Sequence, residues 1–193
     1  MLISGRQAAA MLEPCGLSLS AAQHVLATEI AGPPAQPAPL LYDADAVAQL
    51  AARPLIDTSE VARVCPTGYL VARLPRQRRF LVGSPWSDQS ARLEGPWRMD
   101  AMVHLVVAVL VSRESGFPLI LLASGFVVAG AEVTGLRGST LAEQRFDVEP
   151  AGAWFDRFRG RRCAAGRGRQ TELRGWAAAA PVRRSARIGP LQE

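Results

Sequence analysis

The sequence predicts an α+β protein in which a small helical module precedes a β-rich domain that ends in a short helix. Three observations carry that expectation. Over residues 1–53 the apolar side chains recur at helical spacing, and each run opens on a small polar residue able to cap it. From residue 68 the apolar residues bunch instead into short runs rich in valine, leucine and isoleucine, bounded by glycine, proline and serine. Between the two regimes, "RPLIDTSEVARVCPTG" has neither pattern. The boundaries expected are a module over 1–56, a linker over 57–67, a β-rich domain over 68–176 and a mobile tail over 177–193.

The first helix opens at Ser4. Ser4 and Gln7 have the Ser-x-x-Gln spacing of a capping box, in which each side chain satisfies a backbone N–H of the other residue. Ala8, Ala9, Met11 and Leu12 make its apolar face. Pro14 cannot continue that helix, and Gly16 supplies a turn. A second helix repeats the device, with Ser20 as cap, Gln23 answering it, and Ala22, Val25 and Leu26 facing inward. "GPPAQPAP" (32–39) has four prolines in eight residues, which forces an extended loop. Leu40, Leu41 and Tyr42 form a short strand. The third helix takes Asp43 as its N-cap, where a carboxylate accepts backbone N–H groups and suits the helix dipole. Ala46, Val47, Leu50 and Ala51 face inward, and Pro54 ends the helix by disfavouring helical backbone at Arg53.

In the second region strands are predicted over 68–74, 78–83, 104–112, 118–129 and 132–136, with a hairpin turning at Ala129–Gly130–Ala131. "EPAGAWFDRFRGRR" predicts a short helix from about Ala151 with Trp154, Phe155 and Phe158 on one side. His104 falls in an apolar run and reads as a core residue. Trp86 and Trp97 each follow a proline in a glycine-rich turn. They suit either the wall of a small-molecule pocket or a plug between the sheet's edge and the core.

A chain of 193 residues that is 49% hydrophobic can bury a substantial core. All 22 basic residues are arginine, which together with the alanine richness points to a GC-rich bacterial genome rather than to a ligand. The net charge is divided: residues 1–57 sum to −3 and residues 58–193 to +8, most of the excess lying after residue 156. Cys15, Cys65 and Cys163 are odd in number and lack metal-ligand spacing, so they read as reduced thiols. No charged-then-apolar leader opens the chain, and the apolar segments 102–111 and 117–131 fall short of the ~20 residues of a membrane helix. A cytoplasmic protein without membrane contact is the expectation. His24 and His104, far apart and without clustered carboxylates, do not suggest a metal site. Without lysine there is no phosphate-binding Gly-x-x-x-x-Gly-Lys loop, and Ser84 and Ser124 lack a Gly-x-Ser-x-Gly elbow. No catalytic residue and no cofactor is therefore assigned.

Helix, tight turn, helix, extended loop, short strand and third helix, within the first 56 residues, resemble the winged helix-turn-helix of excisionase and MerR-type DNA-binding domains. The resemblance rests on "SGRQAAAMLE", "GLSLSAAQHVLAT" and above all "LLYDADAVAQLAARP". In those families an aromatic residue closes the wing strand and an Asp-x-Val/Leu helix ending near Ala-Arg follows it. The resemblance implies that the second helix enters the major groove and that residues 30–41 are the wing. It implies DNA contacts from Ser20, Gln23, His24 and Thr28, with Arg6 on phosphate and Gln23 suited to adenine edges. Family wings carry cations, whereas this one carries prolines, alanines and Gln36.

The missing charge is expected from "DRFRGRRCAAGRGR" (156–169), where arginines interleave with glycine close to aromatic side chains, a pattern suited to neutralising a phosphate backbone. Arg159, Arg161 and Arg162 are the residues assigned there. The function expected is a non-enzymatic, DNA-associated transcription regulator whose second domain senses an effector or oligomerises. The alternative is a protein–protein interaction module that keeps the winged-helix fold without touching DNA. DNA, another protein and a second copy of the chain are thus the partners considered.

Overall fold

A computed structural model describes residues 1–114, 116–138, 140–163 and 168–176; the tail expected over 177–193 lies outside the described residues. The first part of the chain builds β1 (Leu2–Ser4), α1 (Gly5–Ala10), α2 (Leu19–Leu26), β2 (Gln36–Pro37), β3 (Leu40–Asp43) and α3 (Ala44–Ala51). β3 is the middle strand of an antiparallel sheet, with β1 on one side and β2 on the other.

Both halves of the Ser4–Gln7 box form: Ser4 N–H donates to Gln7 Oε1 at 2.9 Å, and Ser4 Oγ accepts from Gln7 N at 3.3 Å. Asp43 caps α3 by accepting from the N–H groups of Asp45 and Ala46. The cap of α2 is Ser18 rather than Ser20. Gly16, at φ 80°, closes a 3-10 turn over Glu13–Cys15 and brings the chain out extended at Ser18, two residues early. Leu12, Val25, Leu26, Tyr42, Val47 and Leu50 form the core of this part, and Phe126 from the second part inserts into it. The two parts therefore share buried surface.

The second part is a five-stranded sheet in the order β7-β6-β5-β4-β8. Its strands are β4 (Tyr69–Arg73), β5 (Phe117–Ala123), β6 (Phe126–Arg137), β7 (Arg145–Pro150) and β8 (Thr171–Arg174). Neighbours are antiparallel except β4 and β5. A parallel pair needs a long crossover, and residues 74–116 supply it with α5 (Trp86–Leu93) and α6 (Ala101–Arg113). On the opposite face lie α4 (Thr58–Val64) and a 3-10 turn over Ala153–Arg157. Side chains alternate accordingly: Leu70, Leu119 and Leu121 pack with Leu93, Trp97 and Val107. Tyr69, Val71, Ile120 and Leu122 pack with Val61 and Phe158 on the other side. Burial on both faces is why β4 and β5 read as unbroken apolar runs.

Several expectations are corrected. Residues 104–112 lie within α6, not a strand. Asp100 caps the segment by accepting from Met102 N at 3.0 Å, and no glycine or proline interrupts its thirteen residues. His104 accordingly sits half-buried on a helix instead of in a strand core. Residues 57–67 are not a bare linker, because Asp57 accepts from Ser59 N and Glu60 N and starts α4. Residues 78–83 are not a strand: Val82 spends its N–H on Thr28 O and its carbonyl on Gln89 Nε2, leaving no ladder partner. The hairpin turns at Ser124–Gly125, both at positive φ, and β6 runs on through Gly130. The helix expected from Ala151 is the 3-10 turn.

Trp97 is fully buried, donates its indole N–H to Leu93 O at 2.7 Å and stacks on Phe146, which makes it a plug of the core. Cys15, Cys65 and Cys163 are free thiols, all buried, and burial pushes Cys65 up to about 11. Among the described residues no helix is long and apolar enough to cross a membrane.

Candidate nucleic-acid interface

The helical period decides what α2 presents. Ala22, Val25 and Leu26 are buried, while Leu19, Ser20, Gln23 and Ala27 are exposed on the opposite side. Ser20 and Gln23 are therefore exposed to solvent. Arg6 is exposed on α1.

His24 lies on the flank of α2 and faces the second part of the chain. Its Nδ1 is 3.2 Å from Ser124 Oγ in the β5–β6 turn. Burial, and secondarily the Arg76 guanidinium, hold its pKa below the usual histidine value, so the ring is neutral near pH 7. Thr28 is only 1% exposed. Its hydroxyl donates to Val25 O at 2.7 Å and its carbonyl accepts from Val82 N at 3.0 Å. Thr28 is thus a docking point between the two parts and cannot reach a duplex in this arrangement. Its burial depends on Val82, more than fifty positions away, and no local pattern signals it.

Arg159, Arg161 and Arg162 do not form one solvent-facing patch. Arg161 donates to Glu60 Oε2 at 3.2 Å, and Arg157 pairs with the other oxygen of Glu60 at 2.7 Å. Arg162 Nε donates to Arg53 O, and its backbone bonds to Pro54 and Ile56, so this segment is stitched to the chain leaving α3. Arg159 is exposed, beside Asp156 and over the Phe155 ring. The expected basic patch is in large part a set of internal fastenings.

A different cationic stretch borders α2. The loop after β4 carries Arg76, Gln77, Arg78 and Arg79. Arg78 is tethered, its guanidinium 4.9 Å from the Trp97 ring and bonded to Pro96 O. Arg76 and Arg79 are exposed and make no ion pair with the described residues. A cleft of about 320 Å³ joins this loop to α2 and β3, lined by His24, Glu29, Leu40, Tyr42, Arg76 and Arg79. Its sequence signal is "PRQRRF", three arginines in four residues, which overlaps the 78–83 run that suggests a strand.

Among the described residues no group of three or more histidine, cysteine or carboxylate side chains has the spacing to hold a metal ion. Comparison with known proteins finds no matching protein family, no matching curated protein and no matching solved structure.

Proposed function

We propose that the chain is a non-enzymatic, DNA-associated regulator that reads a duplex with α2 and the Arg76–Arg79 loop together, the five-stranded part serving as its sensor or oligomerisation unit. The observation that carries this reading is the cleft that Arg76 and Arg79 share with His24 and Ala27, on the flank and at the end of α2. The first part of the chain is acidic and has no cation in its wing, so on its own it would be repelled by phosphate. Two guanidinium groups on the neighbouring loop, without an ion pair among the described residues, would offset that deficit from the flank of α2, while Ser20 and Gln23 on its exposed face would meet base edges. The element order β1-α1-α2-β2-β3-α3, with β2 and β3 hairpinned as a wing would be, agrees with it.

The test is duplex binding by mobility shift at two salt concentrations. Arg76→Glu with Arg79→Glu is expected to weaken binding to every sequence and to lower the salt slope by about 0.9 per lost phosphate contact. Gln23→Ala is expected to change sequence preference more than total affinity. Wild-type affinity in the double variant would remove the reading. A second reading, a protein-docking module, is favoured by α6, on which Met102, Leu105 and Val109 form an exposed apolar stripe. Failure of the native chain to bind any duplex would favour that alternative.

A further inference from the structure

We infer that the cleft between the end of α3, the start of α5 and the middle of β6 is a binding site for a small aromatic carboxylate. The cleft has a volume of about 350 Å³, the size that takes a molecule of one or two rings. Trp86 and Phe155, both half-buried, form its aromatic walls, and Arg53 and Arg159 supply its charge. No carboxylate is among its described lining residues. In the cleft between α6 and β8, by contrast, Glu172 already pairs with both Arg73 and Arg174.

Three features define the occupant. The first is a gap in the sheet. β7 pairs with β6 only from Ala131 onward, while Arg161 and Arg162 hold Val127 and Phe126. Val128 and Ala129 therefore have no strand partner on that side among the described residues, and they line the cleft as an apolar floor. A planar ring suits such a floor, with Trp86 and Phe155 beside it. The second is Arg53. Its carbonyl accepts from Arg162 Nε at 2.9 Å, which anchors the backbone. Its half-buried guanidinium meets Ile30 O at 3.4 Å and makes no ion pair with the described residues. A partly desolvated guanidinium lacking an anion is costly, and a carboxylate matches its planar fork. The third is Arg159, 5.4 Å above the Phe155 ring. Its contact with Asp156, at 3.4 Å between two exposed side chains, is too weak to hold it from a ligand. Ile30 and Arg53 come from the first part of the chain, and Trp86 and β6 from the second, so an occupant would bridge the two. That bridging makes the cleft an effector site for the sensing part proposed above; the regulatory consequence rests on that reading, and the binding does not.

The full chain has four tryptophans, and 5-fluorotryptophan gives each its own fluorine resonance, assigned by single Trp→Phe variants. The probes are 1-naphthoate and its neutral analogue 1-naphthamide, titrated at matched ionic strength. Naphthoate is expected to shift the Trp86 resonance with half-saturation at or below about 5 mM, and to leave the buried Trp97 and the distant Trp176 unmoved. Naphthamide is expected to bind about tenfold more weakly, since it lacks the charge that the guanidinium groups would meet. Arg159→Gln, at an exposed position, is expected to keep its melting temperature and to weaken naphthoate about threefold or more while leaving naphthamide unchanged. Arg53→Gln is expected to bring the two probes to equal affinity. No Trp86 shift up to about 10 mM naphthoate, equal binding of the two probes to the native chain, or native preference for naphthoate in a folded Arg159→Gln would each overturn the assignment. So would a shift of Trp176 in place of Trp86, which would put the probe in the cleft between α6 and β8. The titration contains no nucleic acid, so its outcome is independent of whether the chain binds a duplex.

Discussion

His24 and Ser124 stand a hundred positions apart in the chain, yet the His24 imidazole meets the Ser124 hydroxyl at 3.2 Å. The contact ties the flank of α2 to the β5–β6 turn, and the burial that comes with this docking sets how His24 should respond to acid. In the unfolded chain His24 takes up a proton near pH 6.5; in the folded chain burial first, and Arg76 second, hold it below that value. Between the two values the unfolded state binds more protons. The stability contributed by a neutral His24 is therefore complete above about pH 6.5 and declines as pH falls toward the folded value. Thermal melts across that window are expected to show a fall that His24→Gln flattens. An unchanged slope in the variant would show that another group sets the acid response.

Glu60 holds the other seam. Its carboxylate is 21% exposed and accepts from both Arg157 and Arg161. Glu60→Gln should cost about 1–2 kcal/mol in urea unfolding, since the partly buried Arg161 and the more exposed Arg157 both lose a charged acceptor. Asp156→Asn, whose partner Arg159 is 72% exposed, should cost less than about 0.5 kcal/mol. Equal costs would show that burial does not decide the strength of these pairs.

Gly130 lies in β6 where a Cβ would collide with the Phe155 ring. That ring is itself packed edge-on against Trp154 and beneath Arg159, so it has little room to retreat. Gly130→Ala is expected to destabilise by about 1–3 kcal/mol through overpacking, with part recovered when Phe155→Leu is added. A melt indistinguishable from the native chain would show that the 3-10 turn yields freely.

What was legible in the sequence was local. Ser4 with Gln7, Asp43 and Pro54 mark helix boundaries through contacts within four residues, and each works as its spacing predicts. The run 104–112 carries a local strand signal because valine favours strands, whereas its helicity follows from the crossover that a parallel β4–β5 pair demands. β8 carried no readable signal, since its partner in the ladder is β4 and Leu173 pairs with Leu70 across the length of the domain. The candidate site divides the same way. The exposure of Ser20 and Gln23 follows from helical period, but the burial of Thr28 and the pairing of Arg161 depend on Val82 and Glu60, which no neighbouring residue announces.

The place of β4 has a consequence for how the chain is made. Its partners β5 and β8 begin at residues 117 and 171, while the strand pairing of β1, β2 and β3 closes within the first 43 residues. A chain leaving the ribosome can thus pair its first small sheet early, though Phe126 joins that core later, yet must carry β4 with both edges unpaired until β5 arrives, and one edge bare until β8 does. Leu70, Val71 and Ala72 are wholly apolar and would be the stretch most prone to pair with another chain in that interval. Arg73, Arg76, Arg78 and Arg79 follow directly, and such charges at the end of a bare strand discourage that pairing. The same arginines that border α2 in the finished protein thereby flank the strand that waits longest for its last partner while the protein is still being built.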